Sequence, residues 1–294
     1  MKVAFELQTY KSEIKPTWCP GCGDFAVLNA LQKAIHALQL EPWNVLLVSG
    51  IGCSSNLPHF LSTYGFHAIH GRAIPVATGA KLANPDLHVI VTGGDGDGYG
   101  IGLGHFIHAM RRNLDITYIV MNNEIYGLTT GQASPTSEKG MKTKSTPNVG
   151  VIENPLNPIT LAISAGATFV ARTFSGDVKQ MADLVQKGID HKGFSLIDAL
   201  SPCVTYNKVN TYDFFRQRVY DLQKEGHDPM DVKAAFAKAI EWPTVQQERI
   251  PIGLFYRAEG VPTYEELEPG LAKGPPVRQP LGIENPDELM AEFL

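Results

Sequence analysis

The sequence predicts an α/β fold with a doubly wound, mainly parallel sheet, and two patterns lead to this expectation. Short apolar runs, interpreted as buried strands, alternate with longer segments whose apolar residues recur at helical spacing. Strands that alternate with helices along the chain indicate parallel βαβ units with right-handed crossovers.

The predicted elements follow one another from residue 24 to residue 200. A helix is expected to begin near Asp24, because Leu28, Leu31, Ile35 and Leu38 recur at helical spacing. Further helices are expected at 73–83, 100–113 and 177–191. The predicted strands are 44–50, 87–94, 115–123 and 194–200.

The composition changes after about residue 205, which suggests a division into an α/β domain at 1–205 and a C-terminal extension at 206–294. Within the extension, 211–223 is expected to be helical, and the stretch from residue 256 is expected to be an extended tail because it is rich in Pro, Gly and Glu. The polar segment 133–150 is interpreted as a long loop, either a mobile surface excursion or an active-site cover.

Charge and hydropathy exclude several classes of function. The chain has 294 residues and a net charge of −5, which argues against a nucleic-acid surface. It contains no apolar run of about 18 residues, so no membrane span is expected. The first 18 residues are polar and lack the apolar core of a signal peptide, so we expect a cytoplasmic protein whose cysteines are thiols or metal ligands.

The stretch "VTGGDGDGYGIGLGHF" (91–106) places two aspartates among seven glycines directly after a predicted strand. A glycine-rich turn between a strand and a helix commonly binds phosphate. The dinucleotide fingerprint requires glycines at i, i+2 and i+5, which no register of 93–104 supplies, and the chain has no P-loop GKS or GKT. The remaining possibility is a diphosphate held through a divalent metal, which would explain an aspartate in the turn.

The turn after the next predicted strand supplies the other groups that such a metal would need. Mg²⁺ prefers oxygen ligands and often shares them with phosphates, so one carboxylate is not sufficient. The sequence "MNNEIYGLTTGQ" (121–132) ends that strand, and the carboxyl ends of neighbouring parallel strands meet at one edge of a sheet. Asp95, Asn123 and the carbonyl of Ile125 are therefore candidate Mg²⁺ ligands.

Together, Gly94-Asp95-Gly96 and Asn122-Asn123 resemble the thiamine diphosphate motif, G-D-G followed after a strand by N-N. The resemblance implies the same three Mg²⁺ ligands. The residues it implies beside the cofactor are Gly94, Gly96, Asp97, Tyr126, Gly127 and Leu128. The alternative is an ordinary glycine-rich turn with an asparagine pair that caps a loop.

The four cysteines of the chain, Cys19, Cys22, Cys53 and Cys203, all lie in predicted loops or at element edges. Four thiolates from such loops can bind one [4Fe–4S] cluster. A structural zinc site, a redox dithiol at Cys19 and Cys22, or unrelated buried thiols are the alternatives.

The blocks "WCPGCGD", "GIGCSSNLP", "HGRAIPVATGAKLANP", "GGDGDGYGIGLGHF" and "NNEIYGLTTGQASPTS" together resemble the β subunit of 2-oxoacid:ferredoxin oxidoreductases, over about residues 10–210. The resemblance implies a thiamine diphosphate-binding fold of the diphosphate type, with the four cysteines as [4Fe–4S] ligands. It also implies that Gly52, His70 and Gly71 lie beside the cofactor, with His70 catalytic, although His70 could be a hydrogen-bonded structural histidine. Leu128 is expected against the thiazolium or the substrate, or else in the core.

The activity implied by this resemblance is the CoA-dependent oxidative decarboxylation of a 2-oxo acid to acyl-CoA and CO₂, with electrons passed through the cluster to ferredoxin. The resemblance also implies that the reaction is reversible. 2-Oxoglutarate is the first choice of substrate and pyruvate the second. We find one doubly wound unit, so an α subunit is expected to supply the pyrimidine-binding domain in an (αβ)₂ assembly. A non-oxidative thiamine-dependent decarboxylase subunit and a non-catalytic iron–sulfur electron-transfer subunit are the alternatives.

Overall fold

The computed structural model describes residues 4–242, 248–280 and 286–291. The strands are β1 Val45–Ser49, β2 Tyr64–His67, β3 His88–Gly94, β4 Ile116–Asn122, β5 Ile125–Tyr126, β6 Gln132–Ala133, β7 Phe169–Phe174, β8 Ser195–Leu200, β9 Val219–Asp221 and β10 Ile250–Arg257. The helices are α1 Asp24–Ala37, α2 Ala73–Ala83, α3 Leu103–Arg112, α4 Pro158–Ser164, α5 Val178–Asp190, α6 Tyr212–Arg216, α7 Val232–Ala239, α8 Tyr264–Leu267 and α9 Pro286–Ala291.

Eight of these strands form one sheet within the described residues, in the order β2-β1-β3-β4-β8-β7-β10-β9, while β5 and β6 form a separate hairpin. The pairings from β2 across to β7 are parallel, and β10 pairs antiparallel with β7. The predicted doubly wound, mainly parallel sheet is therefore confirmed.

Helices cover both faces of the sheet, as the side chains of β4 show. Tyr118 and Val120 face one core, which α2, α3 and α4 close, whereas Ile119 and Met121 face a second core under α1 and α5. Successive side chains of a strand point to opposite faces, so an uninterrupted apolar strand is buried on both sides.

Most of the predicted elements are present, and two of them differ in extent from the prediction. The helix expected over 100–113 begins only at Leu103, because Gly100, within the preceding π-helical turn Gly96–Ile101, has a non-helical φ of −89° and ψ of −109°. The segment 211–223 is helical only over Tyr212–Arg216, and Val219–Asp221 is instead a strand that pairs with β10.

The sheet continues beyond residue 205 through β9 and β10, two strands that the sequence did not predict. β2 and β7 were also missed. The proposed domain boundary at residue 205 stays a prediction. Residues 281–285 and 292–294 of the expected tail lie outside the described residues. No helix of the described segments is long and apolar enough to cross a membrane.

The order of the strands creates a crevice at their carboxyl ends. β1 and β3 are neighbours, but the chain leaves β1 towards β2 on one side and leaves β3 towards β4 on the other. Open α/β sheets bind ligands where such connections diverge.

Candidate active site

A cavity of about 260 Å³ lies at this crevice. It is built from the loops after β1, β2, β3 and β4, which parallel pairing brings to one edge of the sheet. The sequence-predicted residues that line it are Gly52, Cys53, His70, Gly94, Asp95, Gly96, Asp97, Asn123, Ile125, Tyr126, Gly127 and Leu128. Gly71, Cys19, Cys22 and Cys203 are not among the residues that line the cavity.

The three candidate Mg²⁺ ligands line this cavity together. Asp95 is buried at the end of β3, and Thr136 Oγ1 donates a hydrogen bond of 2.6 Å to its Oδ2. Burial raises the pKa of Asp95 to about 6, against the effect of hydrogen bonds from the hydroxyls of Ser134 and Thr136. A carboxylate, the amide of Asn123 and the carbonyl of Ile125 form an oxygen-rich set that suits a hard divalent cation.

Asp97 holds the loops after β1 and β2 against the glycine-rich turn. Its Oδ1 accepts hydrogen bonds from Ile51 N at 2.9 Å, Gly71 N at 2.7 Å and His70 Nδ1 at 2.9 Å. Its Oδ2 fits only because residue 50 is glycine, since a Cβ there would lie 1.9 Å from that oxygen. Asp97 therefore contributes to the shape of the cavity as well as to its lining.

Tyr126 covers the turn after β3. Its hydroxyl donates to Gly96 O at 3.1 Å, and a Cβ at Gly96 would lie 2.1 Å from Tyr126 Cε1. Leu128 also lines the cavity and is 55% exposed, so it is not a core leucine. Gly52, at a φ of +136°, begins the short 3₁₀ helix Cys53–Phe60 beside it.

Two polar residues that the sequence analysis did not assign also line the cavity. Ser54 Oγ and Asp24 Oδ2 are both buried without a hydrogen-bond partner among the described residues. Asp24 Oδ1 accepts from Ser201 Oγ at 2.7 Å, and burial raises the pKa of Asp24 to about 6. Unpaired buried groups are costly, so both are suited to contact a ligand. In the sequence, the one feature that could have identified Asp24 and Ser54 as site residues is their position shortly after Cys22 and Cys53.

The four cysteines are free, and Cys53, which lines the cavity, lies close enough to Cys19, Cys22 and Cys203 to interact with each of them electrostatically. A Cβ at Gly127 would lie 3.5 Å from Cys53 Sγ and 3.6 Å from Cys203 Sγ, so these two thiols flank Gly127. Burial, followed by the nearby Asp24 carboxylate, raises the pKa of the Cys22 thiol and brings that of Cys53 to about 12. Across the described ranges, no three His, Cys, Asp or Glu side chains are grouped as ligands of a single metal ion.

Comparison with known proteins identifies families and relatives that this chain resembles. The family model "Thiamine pyrophosphate enzyme, C-terminal TPP binding domain" matches residues 50–199, and the model for the C-terminal part of the "Pyruvate ferredoxin oxidoreductase beta subunit" matches residues 203–273. The chain is 50% identical over 283 residues to the 2-oxoacid:ferredoxin oxidoreductase subunit beta of Saccharolobus solfataricus, with 91% of each chain covered. It is 44% identical over 231 residues to the 2-oxoglutarate oxidoreductase subunit KorB of Mycobacterium tuberculosis, covering 79% of this chain and 60% of the relative.

A solved structure is similar over nearly the whole chain. It is the 2-oxoglutarate:ferredoxin oxidoreductase from Magnetococcus marinus with 2-oxoglutarate, coenzyme A and succinyl-CoA bound. The TM-score is 0.86 at 41% sequence identity, and the match covers 98% of this chain and 96% of the other.

Proposed function

Because the chain belongs to the β subunits of the 2-oxoacid:ferredoxin oxidoreductases, we propose that it binds thiamine diphosphate, Mg²⁺ and a [4Fe–4S] cluster, and decarboxylates a 2-oxo acid oxidatively with an α subunit. One observation carries this proposal: Asp95, Asn123 and Ile125 share a single cavity with Cys53. When bound, these groups supply an electron sink for decarboxylation and a carrier for single electrons.

The diphosphate and its cation are assigned to the end of the cavity at the glycine-rich turn. Asp95, Asn123 and the Ile125 carbonyl would hold Mg²⁺, and the phosphate oxygens would lie along Gly94 and Gly96. The unpaired hydroxyl of Ser54 supports this position, because it faces the cavity and can donate a hydrogen bond to an anion.

The cluster is assigned to Cys19, Cys22, Cys53 and Cys203. Gly127 separates two of these thiols from Asn123, since a Cβ at this glycine would lie 3.8 Å from Asn123 Nδ2. The cluster would therefore lie a short distance from the cofactor, as electron transfer requires. We assign the protein to the cytoplasm, where thiols stay reduced.

The open mouth of the cavity supports a need for a partner. Two residues that line the cavity are exposed to solvent: the His70 side chain is 38% exposed, and Leu128 is 55% exposed. We assign the covering surface to an α subunit, which would contribute the glutamate for the aminopyrimidine ring and much of the coenzyme A site, with ferredoxin as the electron acceptor and (αβ)₂ as the assembly. 2-Oxoglutarate is the preferred substrate, because relatives named for it include KorB and the Magnetococcus enzyme.

The test begins with anaerobic purification of the chain together with its co-purifying partner. Iron, sulfide, zinc and thiamine diphosphate are then measured on one sample. About four iron and four sulfide with one thiamine diphosphate per chain are expected for one cluster and one cofactor. Zinc without sulfide would overturn the electron-transfer part of the proposal.

Asp95→Asn tests the metal assignment. We expect this variant to lose Mg²⁺-dependent thiamine diphosphate binding and to keep its iron content, because the carboxylate supplies the charge that the cation needs. Calorimetric titration measures the first property and metal analysis the second. Wild-type Mg²⁺ dependence in Asp95→Asn would contradict the proposed site.

A further inference from the structure

The loop that follows β6 is anchored to the candidate Mg²⁺ ligand by buried hydroxyl groups. Thr136 is 2% exposed, and its Oγ1 lies 2.6 Å from Asp95 Oδ2 and 3.0 Å from Asn122 Oδ1. Ser134 Oγ lies 3.3 Å from the same hydroxyl. The segment predicted as a long polar loop is thus attached to the base of the cavity by its first residues.

The same loop is attached at further points along its length. Ser137 Oγ donates to Glu124 O at 2.6 Å, and Asn210 Nδ2 donates to Glu138 Oε1 at 2.9 Å. Met141 then packs in one apolar cluster with Ile125, Val151 and Cys203. These contacts hold Thr136 in place independently of Asp95, so its hydroxyl can act as a fixed donor.

We propose that Thr136 is a positioning residue for the divalent cation. Its hydroxyl donates to one oxygen of Asp95, which sets the rotation of the carboxylate about its Cβ–Cγ bond and so its aim into the cavity. The inference rests on the proposed function, in which Asp95 is a Mg²⁺ ligand. Partners that hydrogen-bond a metal ligand orient it, and their loss weakens metal affinity.

The test uses the complex with its α subunit, freed of thiamine diphosphate and Mg²⁺. Thr136→Val removes the hydroxyl at nearly constant volume, and Thr136→Ser keeps it. Thr143→Val is the matched control in the same loop, because the Thr143 hydroxyl contacts Ser145 and Thr146 rather than Asp95. The readout is the Mg²⁺ concentration that supports half-maximal thiamine diphosphate binding, measured by calorimetric titration.

We expect Thr136→Val to require about 10- to 100-fold more Mg²⁺, the usual effect of losing such a partner. Thr136→Ser and Thr143→Val should stay near the wild-type value. Wild-type Mg²⁺ dependence in Thr136→Val, or an equal loss in Thr143→Val, overturns the inference. Thr136→Ala decides in the same way if Thr136→Val does not fold.

Asp95→Asn separates this inference from the proposed function. If Asp95→Asn loses Mg²⁺-dependent thiamine diphosphate binding while Thr136→Val keeps it, the metal site is supported and the positioning role of Thr136 is wrong. If Asp95→Asn keeps wild-type Mg²⁺ dependence, the metal assignment itself falls.

Discussion

His70 is held at the mouth of the cavity by its hydrogen bond of 2.9 Å from Nδ1 to Asp97 Oδ1. An ionised carboxylate only accepts, so Nδ1 carries the hydrogen and Nε2 is left for proton transfer. We expect His70→Asn, whose amide can replace Nδ1 as a donor, to keep thiamine diphosphate affinity and thermal stability. Its kcat should fall about 10²- to 10⁴-fold, the range for a lost general acid or base. Viologen-coupled turnover measures kcat, calorimetric titration measures the affinity, and thermal unfolding measures the stability.

His108→Asn is the control for that experiment, because His108 is exposed on α3. It should retain wild-type turnover and affinity. If His70→Asn turned over substrate as fast as the wild type, His70 would be a structural residue that serves only as a hydrogen-bond donor to Asp97. A parallel loss of stability would point to the same conclusion, since the loop that carries Gly71 depends on Asp97 as well.

At the scale of elements, the turn from β3 to α3 depends on the absence of a side chain at residue 96. A Cβ at Gly96 would overlap Tyr126 Cε1 at 2.1 Å, so the ring of Tyr126, which lines the cavity, must move. We expect Gly96→Ala to weaken thiamine diphosphate binding by about 1–3 kcal/mol, the usual cost of overpacking. Calorimetric titration of the complex measures this change.

Gly104→Ala is the matched control, since a Cβ at this position of α3 meets nothing within 4 Å. It should leave binding unchanged and stabilise the fold by about 0.5–1 kcal/mol, because alanine favours a helix. If Gly96→Ala bound thiamine diphosphate as the wild type does, Tyr126 would not be a fixed wall of the cavity.

Sequence analysis found the elements whose signals are local and missed those that depend on distant partners. The glycine-rich turn after β3 and the asparagine pair after β4 are readable because each follows an apolar strand. β7 contains Arg172, whose charge is neutralised by Asp198 at 2.9 Å only in the fold. β10 contains Pro251 and Gly253, which are unfavourable in strands. Ser54 lines the cavity from the 3₁₀ helix Cys53–Phe60, and Thr136 contacts Asp95 from the loop after β6. No sequence periodicity predicts either position.

At the scale of the whole molecule, hydrogen bonds at the end of the sheet opposite the cavity attach the segment after β10 to the rest of the fold. Ala258 N donates to Thr168 O at 2.8 Å, and Asn113 Nδ2 donates to Pro262 O at 3.1 Å. Thr168 Oγ1 donates its one hydrogen to Asn113 Oδ1 at 2.8 Å. The same Thr168 oxygen therefore accepts a hydrogen bond from His191 Nε2, also at 2.8 Å. This network makes a buried, neutral His191 part of the attachment.

The charge state of His191 should therefore make stability depend on pH. Burial, followed by nearby Arg257, lowers the pKa of His191 from 6.5 to about 4. Between these values the unfolded chain binds more protons than the folded one, so the free energy of unfolding falls as the pH drops, by about 2 kcal/mol at pH 5. His191→Gln keeps a donor to Thr168 but cannot titrate, so this share of the acid sensitivity should disappear.

Calorimetric unfolding of the holoenzyme at pH 7 and pH 5 measures this effect as a difference between wild type and His191→Gln. The difference is needed because other groups titrate in this range: Asp24, whose pKa is raised to about 6, binds protons more readily when folded and acts in the opposite direction. The two proteins should unfold at similar temperatures at pH 7, and the variant should unfold at the higher temperature at pH 5. If the unfolding temperatures of the two proteins fell equally from pH 7 to pH 5, His191 would be protonated in the folded state without a cost in stability. The attachment of the C-terminal segment would then not be sensitive to acid.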